Sequence, residues 1–222
     1  MSQKNKLILL LACVVIVGFG CSKTPQSTQT KLLQILEEQN PTASIDQLKK
    51  LASQDEVISS KCHDLLHEIG HQAYQKYQDF PTTISYQDEF CNSGYIHGVI
   101  EAYFSSFQSY DEIKNTLANV CANEPPHSLR AWECTHGTGH GFMYYSGNNV
   151  EKSVELCQLH EDPLEIKACI NGLYMEVFSL DEKGRAMSVP LSTEPLVYCE
   201  NVSIGKDDCF TYAPTFYLEQ HP

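Results

Sequence analysis

Hydrophobic residues recur at helical spacing along most of the chain. This pattern predicts nine helices, at 31–39, 45–53, 57–78, 94–108, 111–122, 137–146, 150–159, 164–180 and 210–219. Ser109 and Asp111 are candidate caps for the fifth of them. The segment 185–197 carries two prolines and is predicted to be a loop. Because apolar and polar residues nowhere alternate over a useful length, the sequence predicts an all-α fold.

A unit with two cysteines occurs three times in the second half of the chain. The pairs are Cys121–Cys134, Cys157–Cys169 and Cys199–Cys209; each encloses a polar stretch and precedes an apolar, aromatic segment. This arrangement is typical of a repeated αα-hairpin. One cysteine is predicted to end the first helix and the other to begin the second, with a disulfide joining them. Cys62 and Cys91 remain as a fourth pair with a longer loop.

The repeat continues beyond the cysteines. Three residues after the cysteine stand Gly94, Gly137 and Gly172, which would let neighbouring helices approach closely. Six residues after it stand His97, His140 and Met175. The first segment, CHDLLHEIGH, aligns on His71 only with a shift of three residues, and the last, CFTYAPTF, has lost the pattern and is predicted to be a cap. Such hairpin repeats can form a solenoid, a bundle or a toroid.

The N-terminus resembles a bacterial lipoprotein signal. Two lysines precede an apolar run over 7–20, which is shorter than the roughly 20 residues of a transmembrane helix. Small residues then lead to Cys21, the predicted lipidated residue, with Cys13 as the alternative. We therefore predict a signal peptide at 1–20, a polar tether at 21–30 and a single helical repeat domain at 31–222. The chain would be anchored to a membrane in the bacterial cell envelope, facing the periplasm or the exterior.

Composition fits an exported protein that does not bind nucleic acid. The chain has ten cysteines in 222 residues, and the eight other than Cys13 and Cys21 can form four disulfides in an oxidising compartment. Zinc binding by cysteine is the alternative, but the sequence contains no CxxC motif. With 15 Lys and Arg against 28 Asp and Glu, and no basic cluster, the chain would repel nucleic acid.

Histidines occupy equivalent places in the repeat at the spacing of metal ligands. Residues four apart lie on one face of a helix, and imidazole pairs on one face suit Zn, Cu, Ni or Fe. Two facing pairs would complete a four-ligand site for a divalent transition metal, with Zn²⁺ as the first candidate. Further candidates are His63, one turn before the first pair, and Glu176, beside Met175. The predicted ligands are His67 with His71, His97 with Glu101, and His136 with His140.

The segment LLHEIGH at 65–71 resembles the metal-binding helix of zincin metallopeptidases. The resemblance implies that His67 and His71 hold Zn²⁺ and that Glu68 is the general base. A gluzincin-like third ligand would be Glu101. The chain departs from the metzincin pattern, because Tyr77 stands where the third histidine belongs, and from zincins generally, because 22–61 predicts helix and tether where they have a β-sheet.

Three functions remain open from the sequence. The first is a cell-envelope lipoprotein with a histidine-rich site for a transition metal. The second is a zinc-dependent metallopeptidase or other hydrolase that uses Glu68. The third is a non-enzymatic envelope scaffold whose histidines are structural and which binds a protein or a glycan. The membrane is the expected partner through the lipid anchor, and the sequence identifies no particular protein or small molecule.

Overall fold

The computed structural model describes residues 25–179 and 194–220, and every regular element in these ranges is a helix. The all-α prediction is confirmed for this part of the chain. The signal peptide, Cys13 and Cys21 lie outside the described residues. The helices are α1 Pro25–Glu38, α2 Pro41–Ala52, α3 Glu56–Ser60, α4 Cys62–Tyr77, α5 Phe80–Ile84, α6 Phe90–Ser105, α7 Tyr110–Val120, α8 Leu129–Ser146, α9 Val150–Cys157, α10 Pro163–Val177, α11 Pro195–Glu200 and α12 Lys206–Gln220.

Four long helices form the centre of the fold. Helix α4 packs against α6, α6 against α8, and α8 against α10, so the order in space follows the order in the chain. Helices α1 and α2 pack against α4 at one end, and α12 packs against α10 at the other. None of the helices in the described ranges is long and apolar enough to cross a membrane. The packing agrees with a bundle or a repeat arrangement.

All four predicted disulfides are present. The bonded pairs are Cys62–Cys91, Cys121–Cys134, Cys157–Cys169 and Cys199–Cys209, with Cα–Cα distances between 5.5 and 6.0 Å. The second cysteine of each hairpin, however, lies inside its helix rather than at the start. Helix α8 begins earlier because the Ser128 side chain accepts a hydrogen bond from the Ala131 N–H, and α10 begins earlier because Asp162 caps it and Pro163 fits its first turn.

Several predicted boundaries are wrong. The segment 57–78 forms two helices, α3 and α4, which are divided at Lys61. Residues 25–30, assigned to the tether, belong to α1. The short helix α5 was not predicted. Helix α11 begins at Pro195, inside the predicted loop 185–197, because a proline in the first turn gives up no helical hydrogen bond. Residues 185–193 of that loop lie outside the described residues. The Ser109 cap of α7 is confirmed.

Glycines bring the backbones of neighbouring long helices into contact. A Cβ atom at Gly98 of α6 would clash with the carbonyl oxygen of His67 on α4. Likewise, a Cβ atom at Gly172 of α10 would clash with the carbonyl oxygen of His136 on α8. Helices usually pack with their axes about 8–10 Å apart, and small residues at the contact permit the lower end of that range. The close packing lets side chains on α4 and α8 meet across α6.

Candidate metal centre

Side chains from the four long central helices converge on one polar, mostly buried cluster. On α4, α6 and α8 a spacing of four residues places them on one face of the helix. The cluster lies where glycines bring the helix backbones together, so that long polar side chains from different helices reach each other. Its members are His63, His67 and His71 of α4, His97 and Glu101 of α6, His136 and His140 of α8, and Glu176 of α10.

Three groups within this cluster have the spacing of metal ligands. In each group, the candidate ligand atoms lie within 4.8 Å of one another. The groups are His63, His67 and His97; His97, His136 and His140; and His67, Glu101 and His140. Each group shares one residue with each of the others. Buried histidines and a carboxylate can therefore hold a metal ion here, and imidazole and carboxylate ligands suit transition metals.

His97 is the centre of the arrangement. Its side chain is 1% exposed, and neither ring nitrogen has a hydrogen-bond partner within the part of the chain that the structure describes. Its ring centroid lies 4.9 Å from the centroids of both His136 and His140, 5.4 Å from that of His63 and 5.5 Å from that of His67. A buried polar group with no partner costs about 1–3 kcal/mol. A metal ion bound to His97 would remove that cost.

Hydrogen bonds to the Nδ1 atoms orient three of the surrounding rings. Because each acceptor is an oxygen that cannot donate, each Nδ1 carries a proton, and Nε2 is the atom that is left to bind a metal. Metal-binding histidines in proteins are held in this way. The amide of Asn171 is itself oriented, since its Nδ2 donates to Asp208 Oδ1 over 2.8 Å. The bonds run from His63 to the Cys91 carbonyl over 2.8 Å, from His136 to Asn171 Oδ1 over 3.0 Å, and from His140 to Glu176 Oε2 over 3.0 Å.

The Nε2 atoms then face each other in two pairs. His63 Nε2 lies 2.9 Å from His67 Nε2, and these two residues are called the α4 pair below. His136 Nε2 lies 3.1 Å from His140 Nε2, and these are the α8 pair. Two ligands of one ion at about 2.0–2.1 Å from it are roughly 3 to 3.4 Å apart. Each pair therefore has a spacing close to that of two ligands on one ion.

Glu101 is the fully buried carboxylate of the site. Its Oε2 accepts a hydrogen bond from His71 Nε2 over 2.5 Å. Its Oε1 lies 2.9 Å from His67 Nδ1 and 3.4 Å from His140 Nδ1. Both distances are short enough for an ion pair, but neither contact has the direction of a good hydrogen bond. Burial alone would raise the pKa of Glu101, but the facing histidines, His67 first, outweigh it and hold that pKa well below its ordinary value. The site thus contains a permanent negative charge.

Three of the six cluster histidines have a lowered pKa and are neutral at physiological pH. Burial lowers the pKa of His63 to about 3 and places the pKa values of His97 and His136 well below the ordinary value of 6.5. Neutral imidazole is the form that binds a metal. His140 differs, because the carboxylates of Glu101 and Glu176 outweigh its burial and raise its pKa to about 9. Without a metal, His140 holds a proton that a bound ion would displace.

The residues of the zincin-like segment do not all face the cluster. His67 belongs to two of the three ligand groups. His71 belongs to none of them and instead donates to Glu101. Glu68, the base that the resemblance implies, accepts a hydrogen bond from Gln29 of α1 over 2.9 Å. Successive residues of a helix point in directions about 100° apart, so Glu68 lies on a different face from His67.

The structure also adds residues to the predicted ligand set. His63 belongs to a ligand group, and Glu176 holds a ligand ring in place. Asn171 and Glu133 were missed. Asn171 stands two residues after Cys169, as His136 stands two residues after Cys134, so the repeat itself contained that signal. Glu133, whose Oε2 lies 3.6 Å from His97 Nε2, carries no signal in the sequence.

An acidic cavity lies next to His97, although His97 itself does not line it. Its volume is about 370 Å³. Its polar lining includes Asp88, Glu89, Arg130 and Glu133, and burial raises the pKa of Glu133. A hydrated cation would be attracted by these carboxylates, and Glu133 lies between the cavity and the ring of His97. The cavity therefore places carboxylates beside the buried ring of His97.

Comparison of the chain with models of protein families, with curated proteins and with solved structures gives no match.

Proposed function

We propose that this protein is a cell-envelope lipoprotein that binds a transition metal through its histidine cluster, with Zn²⁺ as the first candidate. The observation that carries the proposal is His97, a fully buried imidazole that has no hydrogen-bond partner in the described residues and is surrounded by four other imidazoles. A packing role would require its polar atoms to be satisfied.

The ligand chemistry supports a transition metal rather than Ca²⁺ or Mg²⁺. Neutral imidazole nitrogen suits Zn, Cu, Fe and Ni, whereas Ca²⁺ and Mg²⁺ prefer oxygen ligands. The buried carboxylate of Glu101 offsets part of the positive charge of the ion. The hydrogen bonds to Nδ1 of His63 and His136 hold the rings before an ion arrives, which lowers the cost of binding.

The envelope location is a proposal supported by the chemistry of the cysteines. Four disulfides persist only where the surroundings are oxidising, and the lipoprotein-like signal ending at Cys21 would bring the chain there. In such a compartment the cysteines are oxidised, so that histidines and carboxylates are the ligands available to a metal.

Elemental mass spectrometry of the purified, oxidised protein tests the proposal. We expect near-stoichiometric transition metal in the wild type and a loss of most of it in His97→Ala. The matched control is His160→Ala, which removes a half-buried histidine that contacts Thr138 outside the cluster. No metal in the wild type after reconstitution with Zn²⁺, Cu²⁺ and Fe²⁺, or equal loss in both variants, would overturn the proposal.

A further inference from the structure

We propose that the histidine cluster holds two metal ions, one on the α4 pair and one on the α8 pair, with His97 between them as a ligand to both. This inference rests on the proposed metal-binding function and adds its stoichiometry and ligand assignment. The ligand class is two divalent first-row transition ions, each with protein nitrogen ligands and at least one position left for water or a small anion.

The spacing of the ligand atoms separates the two pairs. Two ligands of one ion cannot be farther apart than about 4.2 Å, twice a metal–nitrogen bond of roughly 2.1 Å. Among the described residues, no group with ligand atoms within 4.8 Å of one another contains His63 together with either member of the α8 pair. A single ion therefore cannot bind both complete pairs. The two histidine-only groups are His63, His67 and His97, and His97, His136 and His140.

The positions of the Nδ1 protons favour a metal ion between the two rings of each pair. In the α8 pair both Nδ1 atoms donate to oxygen acceptors, so the two Nε2 atoms, 3.1 Å apart, share the proton of His140 that a bound ion would displace. In the α4 pair, the Cys91 carbonyl fixes the Nδ1 proton of His63, so the Nε2 lone pair of His63 faces the Nε2 atom of His67 across 2.9 Å. One cation for each pair would take the place of the proton between the two Nε2 atoms and make a metal–nitrogen bond to each of them.

His97 lies where it could bind both ions, one through each ring nitrogen. It is the only residue that the two histidine-only groups share among the residues described by the structure. An imidazole has two nitrogens on opposite sides of its ring, and both nitrogens of His97 lack a hydrogen-bond partner there. Bonding to one ion through each nitrogen requires that the single N–H proton of the neutral ring leave to solvent, and the imidazolate that results carries a negative charge.

The charge of the surroundings suits two dications better than one. Three carboxylates face the cluster: Glu101 beside both pairs, Glu176 on His140, and Glu133 beside His97. Together with a bridging imidazolate they would supply four negative charges against the four positive charges of two divalent ions. A single ion on the α8 pair, where it displaces the proton of His140, would leave one of the three carboxylate charges unbalanced, and an unbalanced buried charge is costly.

Titration of the metal-free protein with Zn²⁺, followed by elemental analysis after gel filtration, tests the stoichiometry. We expect two ions per wild-type chain. The double variants His63→Ala/His67→Ala and His136→Ala/His140→Ala should each retain one, because each leaves one pair and His97 intact. One ion in the wild type, lost in both double variants, would overturn the two-ion inference and leave the proposed function standing. No ion in the wild type would overturn both.

Electron paramagnetic resonance of the Cu²⁺-loaded wild type tests the bridge, and this measurement does not depend on whether the variants fold. Two Cu²⁺ ions joined by an imidazolate are magnetically coupled, so the fully loaded wild type should show well under half of the spin intensity expected for isolated ions. Either double variant that binds one Cu²⁺ should show full intensity. Full, uncoupled intensity from a wild type that holds two Cu²⁺ ions would overturn the bridging role of His97.

Discussion

At the scale of single residues, the direction in which a glutamate side chain points decides whether it belongs to the candidate metal centre. Glu68 and Glu101 both follow a histidine on a long helix. Glu101 comes four residues after His97 and shares its face, whereas Glu68 comes directly after His67 and contacts Gln29 of α1. The sequence predicted Glu101 as a metal ligand and Glu68 as a general base. The spacing in HExxH shows that the two histidines share a face of the helix, but it does not show which way Glu68 points.

Replacing the two glutamates by glutamine separates their roles. Glu101→Gln removes the buried charge that orients His67 and His71, and we expect metal affinity to fall by about 10- to 100-fold, as for other partners of ligand histidines. Glu68→Gln keeps the size of the side chain and should leave affinity unchanged. Competition with a chromophoric chelator measures both. An equal loss in the two variants would contradict the site, and loss of a metal-dependent hydrolysis in Glu68→Gln alone would support the zincin alternative.

The stability of the metal-free protein should depend on pH in a way set by the same residues. His63, His97 and His136 have lowered pKa values, so they are neutral when folded and take up protons on unfolding below about pH 6.5. Each such histidine should reduce the free energy of unfolding by about 1.4 kcal/mol per pH unit as the pH falls below 6.5. His140, with its pKa raised to about 9, contributes stability that is lost between pH 6.5 and 9.

Thermal unfolding in a chelator between pH 4 and 9 checks this expectation. The melting temperature should be highest near pH 6.5 and fall on both sides, more steeply toward acid. His63→Gln should make the acid side shallower, and the control His127→Gln, in an exposed loop position, should not. A melting temperature that stays constant between pH 4 and 6.5 would contradict the neutral, buried state of these histidines.

At the scale of the elements, the disulfide between α4 and α6 belongs to the site as well as to the fold. Cys91 has a left-handed backbone, with φ 48° and ψ 56°, and its carbonyl accepts the Nδ1 proton of His63. A left-handed conformation costs roughly 1–2 kcal/mol for a residue other than glycine. The disulfide to Cys62 helps to hold Cys91 in place. The cysteine spacing predicted this bond, but the left-handed turn left no mark in the sequence.

Removing disulfides at two places distinguishes the site from general stability. The double variant Cys62→Ser/Cys91→Ser should lower the free energy of unfolding by about 2–5 kcal/mol and should also weaken metal binding, because His63 loses its fixed acceptor. The matched control, Cys199→Ser/Cys209→Ser, should lower stability similarly and leave metal affinity unchanged. Chemical denaturation and chelator competition measure the two effects. Unchanged affinity in the first variant would contradict the role of Cys91.

At the scale of the whole molecule, the sequence repeat predicted which residues form the site better than it predicted that they lie close together in space. The i and i+4 spacing gave the shared faces of α4 and α8, and the cysteine pairs gave all four disulfides. The sequence could not show that these two faces meet across α6, because that depends on how closely the backbones approach. A Cβ atom at Gly98 would clash with the carbonyl oxygen of His67 on α4, and a Cβ atom at Gly137 would lie 3.1 Å from Cδ2 of His97 on α6. The repeat predicted a close approach at Gly137, but it did not show which side chains that approach brings together.

The predicted lipid anchor belongs to residues outside the described part of the chain and has its own test. Cys21→Ser should move the protein from the membrane fraction to the soluble fraction of the envelope, since lipidation would occur at that thiol. Cys13→Ser should leave it in the membrane fraction. Fractionation and partition into detergent measure the change. Release by Cys13→Ser alone would make Cys13 the lipidated residue, and release by neither would contradict the lipoprotein prediction.

The central claim is that His97 binds a transition metal, and anomalous diffraction from crystals of the reconstituted protein tests it most directly. Data collected on both sides of the absorption edge of the metal should show an anomalous peak about 2.0–2.3 Å from a ring nitrogen of His97, on the side of the α4 pair, of the α8 pair or of both. Crystals soaked with metal that show no anomalous peak at the cluster, with the His97 nitrogens hydrogen-bonded to water, would contradict the account.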